Sequence, residues 1–202
     1  LALISTRTRR VVEGQIGIVV SVGVVAMLIG GAYWANSTLY FGEYREKYRV
    51  STWPYSEPGQ MLRGFAMSDG DYGNAFMISY DYWWDSTIVG MEGGILDWPN
   101  GINTGLTLVE EFLRDAFYCV GTQYPVNPDR DLLFFYHYAD DEHEAKLREW
   151  FPVGYPTLVE SYKESYNYKI YRVPALGVAG FLEFIEQYTE PPTCTPRDFE
   201  EN

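Results

Sequence analysis

Two groups of residues have types and spacings that could do chemistry. His137, Asp140, Asp141, His143 and Glu144 bring imidazoles and carboxylates together, the ligand types of a zinc site. Their spacing matches no established metal motif. Acidic residues at the start of a helix are favoured by the helix dipole in any case, and Asp141 and Glu144 stand at capping-box spacing. Helix capping is therefore the preferred reading, and no metal or cofactor is assigned. The second group is Asp81, Trp83, Trp84 and Asp85. Carboxylates accept sugar hydroxyls, and indole faces stack on sugar rings. Placed just after a strand, where α/β sheets bind ligands, these four form a candidate glycan contact. The competing reading is a capped helix with aromatic core residues. Paired carboxylates can also hydrolyse glycosides, but nothing in the sequence fixes their separation.

Cys119 and Cys194 are the only cysteines. They form a candidate disulfide if the segment carrying them is extracytoplasmic, where disulfides persist; two buried thiols are the alternative. No phosphate-binding Gly-rich loop, serine-nucleophile motif or CxxC occurs, and no catalytic residue is assigned. Asn36-Ser37-Thr38 matches a glycosylation sequon, but it abuts the apolar segment described below and is read as incidental.

The elements that must position these groups follow from periodicity. Ala75–Tyr80 is a short apolar run read as a buried strand, leading directly into Asp81. A helix is expected from about Tyr82 to Met91, ending at Gly93-Gly94. Asp131–Tyr138 is the clearest strand, and its unbroken apolar character predicts burial on both faces, as in a parallel sheet. A helix opening at Asp141 carries Leu147, Trp150 and Phe151 inward and stops at Pro152. Thr157–Tyr162 and Tyr168–Val173 read as closing strands. Upstream, Ser56 caps a helix with Met61, Leu62 and Phe65 at helical spacing. Leu106–Phe117 reads as a further helix. Strands alternating with helices predict an α/β fold, one layered domain.

Ile16–Trp34 is an uncharged apolar run, close to the roughly 20 residues that cross a hydrocarbon core. Arg7, Arg9 and Arg10 precede it, which by the positive-inside rule places the N-terminus in the cytoplasm. The expected organisation is a cytoplasmic segment 1–13, a transmembrane helix 14–35, an extracytoplasmic α/β domain 36–190 and a Pro-rich acidic tail 191–202. Gly17 with Ser21 and Ala26 with Gly30 form a small-residue helix-packing face, which suits partner transmembrane subunits. The first residue is Leu1 rather than Met, so the chain is read as processed, incomplete or a fragment.

The formal net charge is −13 over 202 residues. Residues 1–34 carry three arginines against Glu13, a net +2, which leaves −15 on the remainder. So acidic a domain repels phosphate backbones, and nucleic acid is excluded as a partner. Membrane lipid is an expected partner of the apolar helix.

Three stretches resemble the C-terminal region of bacterial GT-C membrane glycosyltransferases, the protein-mannosyltransferase-like group. They are Tyr40-Phe41 with Tyr44, Gly73–Gly94, and Asp131 through the Phe151-Pro152-Val153-Gly154 turn to Pro174. The resemblance covers roughly residues 35–175 and implies a strand–helix layout beyond a transmembrane helix. It also implies a lipid-linked sugar or glycan as ligand and the bacterial cytoplasmic membrane as location. The family's catalytic acidic residues lie in a first extracytoplasmic loop that has no counterpart here, and Ser86-Thr87 lacks the following Arg. The expected function is a non-catalytic, membrane-anchored accessory or structural subunit. The alternative is the C-terminal domain of a lipid-linked-sugar-dependent glycosyltransferase, contributing to glycan or acceptor recognition.

Overall fold

The computed structural model of the protein describes residues 2–44, 53–80 and 84–199. The chain separates into two compact units, Leu1–Thr52 and Trp53–Asn202.

The first unit is one helix, α1 (Ala2–Thr38), closed by a π-helical turn over Leu39–Tyr44. The expected stem from Asn36 thus begins as continued helix. Among the described residues, Val20–Gly42 is long and apolar enough to cross a membrane by length and composition, with none of its apolar window buried. Ser21, Ala26 and Gly30 lie on the exposed surface of this helix, and a Cβ at Gly30 would meet nothing within 4 Å. The surroundings of Gly17 lie outside the described side chains.

The second unit contains α2 (Ser56–Ala66), β1 (Ala75–Ile78), α3 (Ser86–Glu92), β2 (Gly101–Ile102) and α4 (Val109–Tyr118). It continues through β3 (Leu132–His137), α5 (Asp141–Trp150), β4 (Tyr155–Val159), β5 (Tyr168–Val173) and α6 (Gly177–Tyr188). The five strands form one mixed sheet in the order β2-β1-β3-β5-β4. β1 runs parallel to β2 and β3, while β5 is antiparallel to β3 and β4.

Alternation along the strands sorts their side chains into two cores. Phe76, Ile78, Phe134, Tyr136 and Tyr171 pack with α4, α5 and α6 on one face. Ala75, Met77, Leu133, Phe135 and Tyr168 pack with α2 and α3 on the other. β3 is buried on both faces through Tyr136, which accounts for its unbroken apolar sequence.

The segment boundaries move for identifiable reasons. β4 ends at Val159 rather than Tyr162 because side chains take the next backbone N–H groups. Asn167 Oδ1 accepts from Ser161 N, Glu57 Oε1 from Tyr162 N and Ser161 Oγ from Lys163 N. α4 starts at Val109 rather than Leu106 because the N–H groups of Leu106 and Thr107 turn back onto the Asn103 carbonyl. Leu108 therefore stays extended and exposed rather than joining the helix face. Ser56 is the first helical residue, preceded by Tyr55 with no side-chain cap. β2 and α6 had no counterpart in the sequence reading: β2 is two residues long, and α6 carries Gly177 and Gly180 in its first turn.

Candidate functional site

β1 is followed by α3, which packs on one face of the sheet. β2 and β3 are followed by α4 and α5, which pack on the other. The connections leaving β1 and its neighbours therefore diverge, which is the topological switch point where open α/β sheets bind ligands. A cleft of about 660 Å³ opens there, at the carboxyl ends of the three parallel strands.

Its floor is built by the strand ends. Met77 N–H donates to the Asn100 carbonyl and Ser79 N–H to the Ile102 carbonyl, both at 2.8 Å, carrying the β1–β2 pairing past the last strand residue. Ser79 Oγ accepts from Thr104 N at 3.1 Å and lies 3.4 Å from Thr104 Oγ1. Gly101 allows α3 to start directly above β2, since a Cβ there would collide with Ser86 Oγ. Asp85 caps α3, with Oδ1 accepting from Thr87 N at 2.8 Å. It lines the cleft with a carboxylate that spends one oxygen on the cap.

The far wall is the start of α5. Asp140, not Asp141, is the N-cap: Oδ1 accepts from His143 N at 3.1 Å. Both carboxylate oxygens also lie 2.8–2.9 Å from His143 Nδ1. Burial raises the Asp140 pKa, but the hydrogen bonds from the His143 ring and backbone outweigh it and hold the carboxyl below its usual range. Asp141 sits one residue into the helix, almost fully exposed and 3.7 Å from Lys169 Nζ. Glu144 does not close a capping box. It binds Lys169 Nζ at 2.6 Å, Arg148 at 2.8 Å and the Tyr136 hydroxyl at 3.2 Å. Burial raises its pKa, and the Lys169 and Arg148 contacts more than compensate.

The five residues of the histidine–carboxylate group therefore have separate tasks, and His137 stacks on Tyr80 instead of facing a shared ion. Among the described residues, one set of three or more potential ligand groups converges, Asp115 with Cys119 and Cys194. Both sulfurs of that set are joined as a disulfide. It ties residues 194–197 along the end of α4, where Val120 N donates to Thr195 O and Arg197 N to Tyr118 O.

Of the expected glycan contacts, Asp81 and Trp83 lie outside the described residues. Asp85 lines the cleft. Trp84 also borders it but is 6% exposed and edge-on to Tyr168 at 4.6 Å, so it is floor and core, not an open stacking face. The structure adds Ser79, Tyr80, Asn103, Thr104 and Glu142, which the sequence reading did not single out. For Ser79 and Tyr80 a signal existed: they follow a strand, where sheet ligands bind. Asn103 and Thr104 follow β2, whose two residues are too few to show strand alternation.

None of the described lining residues is Lys or Arg, and three of them are acidic, Asp85, Asp140 and Glu142. Such a lining disfavours phosphate and carboxylate groups. Comparison with protein-family models, curated proteins and solved structures returns no match for the chain.

Proposed function

We propose that this chain is a membrane-anchored accessory domain whose switch-point cleft recognises a neutral glycan. The observation that carries the reading is the composition of the cleft: hydroxyl, amide and carboxylate groups around three strand ends, with no Lys or Arg among the described lining residues and the one histidine, His143, paired with Asp140. Ser79, Asn103 and Thr104 offer donors and acceptors, and Asp85 and Glu142 accept from sugar hydroxyls. The domain contributes recognition; the chemistry belongs to another part of the assembly or of a longer protein. The resemblance to the C-terminal region of GT-C glycosyltransferases supports the same ligand class. An acidic cleft would engage the sugar of a lipid-linked donor and leave its phosphates outside.

The apolar α1 is read as a single transmembrane span, with Arg7, Arg9 and Arg10 on the cytoplasmic side and the α/β domain across the membrane. Binding of neutral oligosaccharides to the full chain, in a detergent without a sugar headgroup, tests the recognition reading. Saturable binding weakened several-fold by Asp85→Asn, with nearly unchanged thermal unfolding, is the expected result. Absence of binding to every neutral glycan tried contradicts it.

A second reading, a structural subunit held through its helix, is favoured by the exposed small residues Ala26 and Gly30, four apart on one face of α1. Cross-linking of helix-face cysteine variants in native membranes tests it. Adducts at positions 26 and 30 but not on the opposite face are expected.

A further inference from the structure

Beside the polar cleft stands an aromatic group that cleft recognition alone does not use. Tyr80, which lines the cleft just past β1, lies parallel to the His137 ring, with centroids 4.3 Å apart and an interplanar angle of 2°. Tyr138 leans on the same imidazole at 4.5 Å and 37°. A parallel stack covers one face of Tyr80, yet the residue remains 41% exposed, and Tyr138 is 44% exposed. The exposure of Tyr80 therefore belongs to its other face and edge, at the mouth of the cleft.

The group is held before any ligand arrives. His137 is the last residue of β3, in register with Tyr168 of β5. Its Nδ1 accepts from Ala139 N–H at 3.2 Å, which requires that nitrogen to be unprotonated. Burial lowers the His137 pKa, against a smaller opposing pull from Asp140, so the ring is neutral at pH 7. A neutral imidazole fixed on a strand holds Tyr80 in one orientation, and a preformed ring face loses less freedom on binding. Bare surface tyrosines are common. A tyrosine stacked flat on a tethered histidine at the lip of a polar cleft is a built platform.

Resting on the glycan reading of the cleft, we propose that Tyr80 is the stacking platform of a second subsite, so that the ligand is an oligosaccharide of at least two units. One unit lies in the polar cleft between Ser79, Asp85 and Thr104. The next presents its apolar C–H face to Tyr80.

The test uses the full chain in a detergent without a sugar headgroup. A panel of neutral oligosaccharides is screened, and the tightest binder is titrated calorimetrically beside its constituent monosaccharide. The oligosaccharide is expected to bind more tightly. Tyr80→Ala should weaken it roughly tenfold, the scale of one aromatic contact, and weaken the monosaccharide clearly less, so that the affinity advantage of the oligosaccharide over the monosaccharide shrinks. Tyr80→Phe, which keeps the ring face, should restore the advantage. His137→Ala, which removes the support, should lose part of it. If Tyr80→Ala leaves the oligosaccharide advantage intact, the second subsite is overturned and the cleft reading survives. If no neutral sugar of either length binds the wild-type chain, both fall. Unchanged thermal unfolding of each variant shows that the loss is local.

Discussion

The two ends of the parallel strands are both rich in polar residues and use them in opposite ways. At the amino ends, Asn74 and Asn100 are buried and hydrogen-bonded within the fold. Asn74 Nδ2 lies 2.7–3.1 Å from the carbonyls of Asn127, Arg130 and Asp131, and its Oδ1 accepts from Asn127 N at 2.8 Å. Asn100 Nδ2 reaches the carbonyls of Tyr72, Gly73 and Ala75. The Cys119–Cys194 bond and the Arg197 contacts to Phe117 and Val126 lie at the C-terminal end of α4, and Arg172 pairs with Asp131 just before β3. At the carboxyl ends, Ser79 and Thr104 bond each other across the ends of β1 and β2, Asp85 and Asn103 hold local turns, and all four face open volume. A polar group whose bonds are all spent inside the fold stabilises; one left facing a cleft can bind. The amino ends are cross-linked structure, and the carboxyl ends border the open cleft on which the proposed recognition rests.

Substitutions should separate the two ends. The largest effect belongs to the disulfide, which closes 75 residues. Replacing both cysteines by serine should cost about 4 kcal/mol through loss of loop-closure constraint, read as a lower urea midpoint, while glycan affinity below the new transition stays unchanged. Asn74→Ala comes next. It leaves several buried carbonyls and an N–H without partners, worth about 3 kcal/mol, again without altering affinity.

At the other end the pattern should invert. Asn substitutes well for Asp as a helix cap, so Asp85→Asn should change stability by less than about 0.5 kcal/mol. The same change should weaken oligosaccharide binding several-fold in calorimetric titration, because it removes a charged acceptor. A stability loss with no change in affinity would assign Asp85 to the fold alone.

The smallest effect is in the pH profile. His137 is held below its ordinary value, so it contributes stability above about pH 6.5 that is lost as pH falls through its lowered pKa. Asp140 and Glu144 are also held low, and their contribution is present above the usual carboxylate range and lost as pH falls through their depressed values. Urea midpoints measured from pH 7.5 to pH 3 should fall in two stages. His137→Gln should remove the first.

The sequence carried the layout better than the site. Long apolar runs such as β3 announce themselves because both faces are buried, and β5 matches its expected range. β2 does not, since two residues show no periodicity. With it went the position of Asn103 and Thr104, and so the β2 side of the cleft. The histidine–carboxylate group was legible as a helix start at Asp141, but its cap is the preceding residue, Asp140. The chain turns at Ala139, held to His137 Nδ1, which leaves Asp140 in a non-helical conformation suited to capping. Trp84 illustrates the limit of composition: an indole beside carboxylates looks like a sugar platform, but its contacts put it in the core beside Tyr168. The open ring is that of Tyr80, four positions earlier, and only the alignment of the ends of β1 and β3 sets it on His137.

Hydrogen exchange of the full chain, with and without the tightest-binding neutral oligosaccharide, tests the central claim most directly. Slowed exchange is expected in residues 79–80, 84–86, 101–105 and 138–143, with 122–131 at the amino ends unchanged. Protection confined to 122–131, or to none of these segments under saturating glycan, would contradict it.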